Sequence, residues 1–284
     1  MHAGAHRILK NDPVMAALIA AAGPCRIDSR ERQAPFQALS HAIAHQQLNG
    51  IAAGRILARF VALFESADFP SPEQVLGIAD DKMRAVGFSA AKVAALKDLA
   101  RKTLDGIVPP AEELEDLDDL EIIERLTSVR GIGRWTVEMM LMFQLKRRDI
   151  LPVDDFGVRN GFRLAYGLKG MPTPRALAQF GERWKPYRST AAWYLWRALE
   201  LKRAGTLPEP VERVRLPRIR KTRRTARART SVAAARGKPL RRKTARTRPL
   251  RGADASSAPP RRSGGRTRSR RPRARRSRAP GSRR

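Results

Sequence analysis

The sequence predicts an all-α body followed by a basic tail, and three observations carry that prediction. Apolar residues recur at helical spacing through most of the chain before about residue 205. No long run shows the β-branched alternation of a half-buried strand. Beyond that point the periodicity gives way to Arg, Pro, Ala and Ser.

The elements follow in order. Ala34 to Leu48 carries Phe36, Leu39, Ile43 and Gln47 at helical spacing, and Ile51 to Phe64 carries Ile56, Leu57, Phe60 and Phe64, with Asn49-Gly50 breaking the two. Ahead of them a short N-terminal strand stays open. Ser71-Pro72-Glu73 opens a short helix with a capping hydroxyl and a proline in its first turn. Ser89 caps Ala90 to Leu104, and Pro109-Pro110 with the acidic run after it reads as a loop. Further helices are expected over Leu120 to Ser128, Trp135 to Leu145, Phe156 to Tyr166, Thr173 to Trp184 and Arg188 to Arg203.

The formal charge of +31 over 284 residues is unevenly spread. Thr206 to Arg284 holds 29 basic residues against 3 acidic ones, a net of +26, which leaves the body at +5. The expected division is therefore a folded domain over 1–204 and an Arg-rich tail over 205–284. The tail has too few large apolar residues for burial to offset chain entropy, so disorder is expected. Its charge density suits nonspecific binding of a polyanion such as nucleic acid; a merely solvated tail is the blander alternative. The single Cys25 rules out an internal disulfide or a thiolate cluster. No apolar run is long enough for a membrane span, and the N-terminus lacks a secretory pattern.

Two motifs carry chemistry. The first, from Leu126 to Phe143, reads as a helix end, a tight Gly131-Ile132-Gly133 hairpin and a helix start. Glycine lets backbone approach backbone, and the amides of the following helix favour an anion. Val129, Arg130, Gly131, Ile132, Gly133 and Arg134 could thus grip a DNA phosphate, with an ordinary helix-helix turn as the blander alternative. The carbonyls of Thr127, Val129 and Ile132 could hold a monovalent cation bridging to it. The second motif, Leu151 to Phe162, sets Asp154 and Asp155 at the mouth of a helix, where one can cap while the other faces a cleft. A fixed carboxylate can stabilise the positive charge that builds on a sugar when an N-glycosidic bond breaks.

This order of parts resembles the helix-hairpin-helix (HhH-GPD) superfamily of DNA glycosylases, and within it the DNA-3-methyladenine glycosylase II type. Ala44-His45-Gln46-Gln47-Leu48 resembles the family's glutamine-containing helix end beside the minor groove. Gly87 to Lys92 resembles its Gly-x-Ser-x-x-Lys helix start, and Arg183 to Ser189 with Trp193 to Trp196 resembles its closing segment. The resemblance covers about residues 30 to 203 and implies a two-lobe fold. It implies Asp155 as the catalytic acid with Asp154 as structural partner, Gln47 as the wedge beside Leu48, and a base pocket from Trp135, Met139 and Trp196 with Tyr187 near. Met139 is adaptable but not aromatic, so selectivity would differ from the family pattern.

Departures refine the expectation. Strand-nicking members carry a lysine where this chain has Trp135, so water is the implied nucleophile and the enzyme monofunctional. With only Cys25 no iron–sulfur cluster is expected, and no other cofactor is required. The implied activity is hydrolysis of alkylated purines from duplex DNA after base flipping, by a monomer. Aromatic faces suit the cationic lesions by cation–π attraction. The expected location is the cytoplasm, with the nucleoid, in a bacterium and the nucleus in a eukaryote. Two alternatives stand: a non-catalytic DNA-binding or scaffolding protein on the same fold, and a glycosylase for uracil or oxidised bases, for which the sequence offers no obvious polar donor set. The His41 and His45 pair lacks the glutamate of a zinc-protease helix.

Overall fold

The computed structural model describes residues 2–29, 31–64 and 68–211. The tail beyond Val211, and with it the expectation of disorder there, lies outside the described residues. Among the described residues every regular element is a helix: α1 (His2–Leu9), α2 (Pro13–Ala22), α3 (Pro35–His45), α4 (Gly50–Val61), α5 (Pro72–Gly77), α6 (Asp80–Ala85), α7 (Ala90–Leu104), α8 (Ala111–Asp116), α9 (Asp119–Thr127), α10 (Arg134–Phe143), α11 (Phe156–Ala165), α12 (Pro174–Gly181) and α13 (Arg188–Arg203), with a 3-10 turn over Glu182–Trp184.

The helix starts are chemically marked. Side chains of Asp12, Asn49, Ser89, Asp118, Asp155 and Thr173 accept from backbone N–H groups that the following helix cannot satisfy itself. Ser71 and Gln74 close a reciprocal capping box on α5. The helices pack in two groups. In one, α3 to α7 with α9 and α10 pack on one another; in the other, α11 lies along α13, which also packs on α2.

One point left open is settled and two expectations need correction. The N-terminal segment is helical, not a strand: α2 (PVMAALIAAA) is apolar on all sides, so it carries no periodicity to read, and Val14, Met15, Leu18 and Ile19 are buried. The acidic run after Pro110 contains helix α8, whose Leu114 is fully buried and whose C-terminal end is closed by Arg147 donating to the carbonyls of Leu114, Glu115 and Leu117. Helix α3 stops at His45, three residues before its expected end, because Gln46 turns extended with ψ of 129° and Gln47 after it adopts a left-handed backbone with φ of 58°. The chain also stays packed past Ala204, since Leu207 lies against the core.

The second group is locked by polar contacts from the N-terminus. Asp12 caps α2 with one oxygen and with the other accepts from the Tyr166 hydroxyl at 2.7 Å and the Trp184 indole at 3.3 Å. Tyr194 on α13 donates to the Gly23 carbonyl at 3.0 Å. Phe162, Tyr166, Phe180 and Trp184 interlock edge-to-face and stacked beneath these bonds.

Gly161 fixes how closely α11 meets α13: a Cβ there would lie 1.9 Å from the Leu195 carbonyl oxygen. That oxygen is backbone and cannot swing aside. Gly161→Ala is expected to destabilise by about 3 kcal/mol, the upper part of the overpacking range. Gly54 sits inside α4 with nothing within 4 Å of its missing Cβ. Gly54→Ala should instead stabilise by about 0.5–1 kcal/mol. Chemical denaturation of the two variants checks both signs.

Candidate active site

Asp155 is the N-cap of α11. Its Oδ1 accepts from the Val158 amide at 2.6 Å and from the Trp196 indole Nε1 at 2.9 Å; its Oδ2 accepts from the Trp135 indole Nε1 at 2.8 Å. A carboxylate offers about four lone-pair sites, so three donors leave room for roughly one more partner. The charge is thereby fixed in position and orientation at a positive helix end. Gly157 makes the approach possible, since a Cβ there would lie 2.8 Å from Trp196 Cδ1 and 3.0 Å from Asp155 Oδ1. The division of labour expected between the two acids is not what the structure has. Asp155, with its extended backbone, does the capping and also meets the tryptophans, while Asp154 is exposed.

Beside this carboxylate opens a cleft of about 1230 Å³ between α3 and α10. The α10 wall presents Trp135, Met139 and Phe143, one residue per turn; Trp135 is half-exposed. Trp196 does not line the cleft itself but stacks on Phe143, with ring centroids 5.8 Å apart and planes at 24°. The α3 wall presents Gln37, His41 and His45 at the same spacing. Burial, with the nearby His45 charge, holds the His41 imidazole below its ordinary pKa. His45 Nδ1 lies 2.8 Å from the His41 carbonyl, which can only accept, so that nitrogen carries a proton.

At the cleft mouth, Gln47 lines the opening and Leu48 is 40% exposed. The hairpin runs from α9 into α10 with Val129 and Ile132 buried and Gly131 at φ of 79°. Arg130 donates its backbone amide to Asp98 at 2.7 Å, which Lys102 also reaches at 3.0 Å. The Ile132 amide returns to the Val129 carbonyl at 3.0 Å, a tight turn. Arg134, exposed in the first turn of α10, pairs with the buried Glu138 at 2.8 Å.

The structure thus brings Asp155, Trp135 and Trp196 into direct contact and sets Met139, Gln47 and Gly131 along one cleft. Tyr187 is not brought there. It precedes α13, and its hydroxyl lies against Gly4 of α1, 2.7 Å from where a Cβ would sit. Trp193 is a buried core residue, edge-to-face with Tyr194. Sequence reasoning missed Phe143, which the four-residue spacing from Trp135 and Met139 could have revealed. It missed the polar α3 wall, legible as the stripe opposite Phe36, Leu39 and Ile43. It also missed Phe156, 69% exposed directly after Asp155, and Glu138. Among the described residues no group of three His, Cys, Asp or Glu side chains is placed to hold a metal ion.

The chain is similar to several known proteins. Residues 40–186 match the family model described as HhH-GPD superfamily base excision DNA repair protein. The chain is 44% identical over 173 residues to DNA-3-methyladenine glycosylase 1 of Schizosaccharomyces pombe, across 61% of this chain and 76% of that one. A solved structure of that organism's 3-methyladenine DNA glycosylase, in complex with abasic DNA, superimposes with a TM-score of 0.61 at 41% identity, covering 68% of this chain and 95% of its own. A DNA-3-methyladenine glycosidase from Bacillus halodurans gives 0.63 at 32%, covering 69% and 89%. DNA-3-methyladenine glycosylase 2 of Escherichia coli is 28% identical over 57% of this chain and 56% of its own length.

Glu138 generates a test by pH. Burial pushes its carboxyl up; the Arg134 hydrogen bond and charge pull it back, and the Asp154 and Asp155 charges push it up further. A raised folded value means that folding binds the proton more tightly. Its stabilising contribution is full below the ordinary carboxylate range and is lost as pH rises through the folded value. Relative to wild type, Glu138→Gln should therefore gain stability as pH rises from about 4 toward neutrality. Urea unfolding across that range reads the difference, and a pH-independent gap between the two proteins would contradict it.

Proposed function

We propose that this chain, which belongs to the HhH-GPD superfamily of base excision DNA repair proteins, is a monofunctional glycosylase that hydrolyses alkylated purines, of the 3-methyladenine type, from duplex DNA. The observation that carries the proposal is the Asp155 carboxylate, fixed by one amide and two indole N–H groups at the edge of an aromatic-walled cleft. The names of the relatives support the lesion class. As to subtype, the 44% identity with the fission yeast enzyme against 28% with the Escherichia coli glycosylase 2 favours a yeast-like pattern over the bacterial type that the closing segment suggests.

In this reading the hairpin amides and Arg134 hold a phosphate, and the target base leaves the stack, because no side chain reaches its glycosidic bond inside a duplex. Gln47 and Leu48 fill the gap. The base lies against Trp135, whose face attracts a cationic ring by roughly 0.5–2 kcal/mol. As the bond breaks, positive charge grows on the sugar, and the Asp155 anion stabilises it without having to reorganise. Its remaining lone pair can orient the attacking water. No amine stands where Trp135 is, so no Schiff base forms and the product is an intact strand with an abasic site. The Val129 carbonyl, bonded once by Ile132, keeps a second lone pair, so the hairpin carbonyls fit a monovalent cation. Bound there, it would add positive charge beside the phosphate.

A second reading has one observation in its favour. The wall of Gln37, His41 and His45 supplies the polar groups that recognition of a neutral base edge needs. Uracil or oxidised bases therefore belong in the same assay.

Release of 3-methyladenine from methylated duplex DNA is the decisive measurement. Wild type is expected to release it and to leave strands that break only after alkali. Asp155→Asn should fold, bind abasic DNA and lose about 100-fold or more of the rate. Undiminished release by that variant would exclude the mechanism. Truncation after Val211 should leave excision intact at low salt while making DNA affinity less salt-dependent, since fewer counterions are released.

A further inference from the structure

The segment that fills the gap is held by a residue with no assigned role. Lys92, in the first turn of α7, donates from Nζ to the carbonyls of Ala44 and Gln46, both at 2.8 Å. The Ala44 carbonyl belongs to the last turn of α3 and the Gln46 carbonyl to the turn after it, and the helix itself leaves both without donors. The side chain of Gln46 continues the chain of bonds, giving its Nε2–H to the Gly131 carbonyl at 2.8 Å. On the far side Asn49 caps α4 by accepting from the Ala52 amide at 2.8 Å. Between these anchors sits Gln47 with φ of 58°, a conformation that a non-glycine residue keeps only when its surroundings dictate it.

We propose that Lys92 is the positioning residue of the gap-filling segment. Its two charge-assisted bonds hold Gln47 in the left-handed conformation that sends its side chain to the cleft mouth. The bond from Gln46 to Gly131 then sets that side chain at a fixed distance from the hairpin that grips the backbone. Wedge and phosphate clamp form one frame, so the energy of phosphate binding is delivered where the base must leave. The inference rests on the glycosylase reading for its biological meaning, but the frame acts on DNA shape and can be tested without catalysis.

The test uses the full chain and a duplex with a tetrahydrofuran abasic analogue opposite 2-aminopurine, whose fluorescence rises when its stacking is disturbed. The proteins are wild type, Lys92→Met, Lys92→Arg, Gln47→Ala and the Lys92→Met/Gln47→Ala double variant. Lys92→Met, of similar length but without donors, is expected to bind undamaged duplex as wild type does. Its preference for the abasic duplex and its fluorescence rise should fall about tenfold, which is about 1.4 kcal/mol of coupling. Lys92→Arg should restore most of both.

The double variant should be no weaker than Gln47→Ala alone, because Lys92 acts through Gln47. Two results would overturn the proposal. Equal loss on damaged and undamaged duplex would make Lys92 a general cationic contact. An undiminished effect of Lys92→Met in the Gln47→Ala background would make it a plain helix cap. A wild type that distorts the abasic duplex yet releases no base would sink the glycosylase reading and leave this inference standing.

Discussion

Three N–H groups converge on the Asp155 carboxylate, and much of the site follows from that convergence. The amide of Val158 ties the acid to the start of α11, the Trp196 indole ties it to α13, and the Trp135 indole ties it to α10. One anion thus fastens three helices, two from one packing group and one from the other. An isolated carboxylate would be costly to hold away from water, whereas one with three donors is satisfied and immobile. The same bonds fix both indole planes through their edges and leave the Trp135 face on the cleft, while Trp196 stacks on Phe143. The requirement reaches into the packing, because Gly157 must stay bare for Trp196 to come close.

The neighbouring Glu138 shows the opposite economy. It is buried at 4% exposure, bonded to an exposed arginine and repelled by two acids. A buried acid with one solvent-facing partner is poorly compensated. Such local discord concentrates where function constrains the sequence, while the rest of the body obeys its caps and periodicities.

Much of this was legible in the sequence. The hairpin and the acid at the mouth of α11 rest on local chemistry: glycines that turn and a carboxylate that caps; the tryptophans follow from the family resemblance alone. What escaped had no local signature. Helix α2 is apolar on every side and so has no period. Tyr187 sits in a segment that resembles a pocket-forming one, yet its position before α13 turns it toward α1. The polar wall of α3 gains meaning only once α10 stands opposite. The bonds from Lys92 and Gln46 join residues far apart in sequence, and no spacing rule anticipates them. Gln47 in particular reads as one more helical residue, because a left-handed backbone at a non-glycine position is imposed from outside.

The contacts from Asp12 to Tyr166 and Trp184, and from Tyr194 to Gly23, join the two ends of the described chain. The α3 to α10 group is therefore nested inside the other, like a clause within a sentence. On a ribosome the nested group has all its partners early. The apolar faces of α2, by contrast, must wait for α13 before they are covered. During synthesis this greasy helix stays uncovered until α13 emerges, the kind of surface on which chaperones act and nascent chains associate. The same nesting means that the aromatic cluster under Asp12 closes last, and with it the full setting of Trp196 against Asp155. The site is completed only when nearly the whole body has emerged.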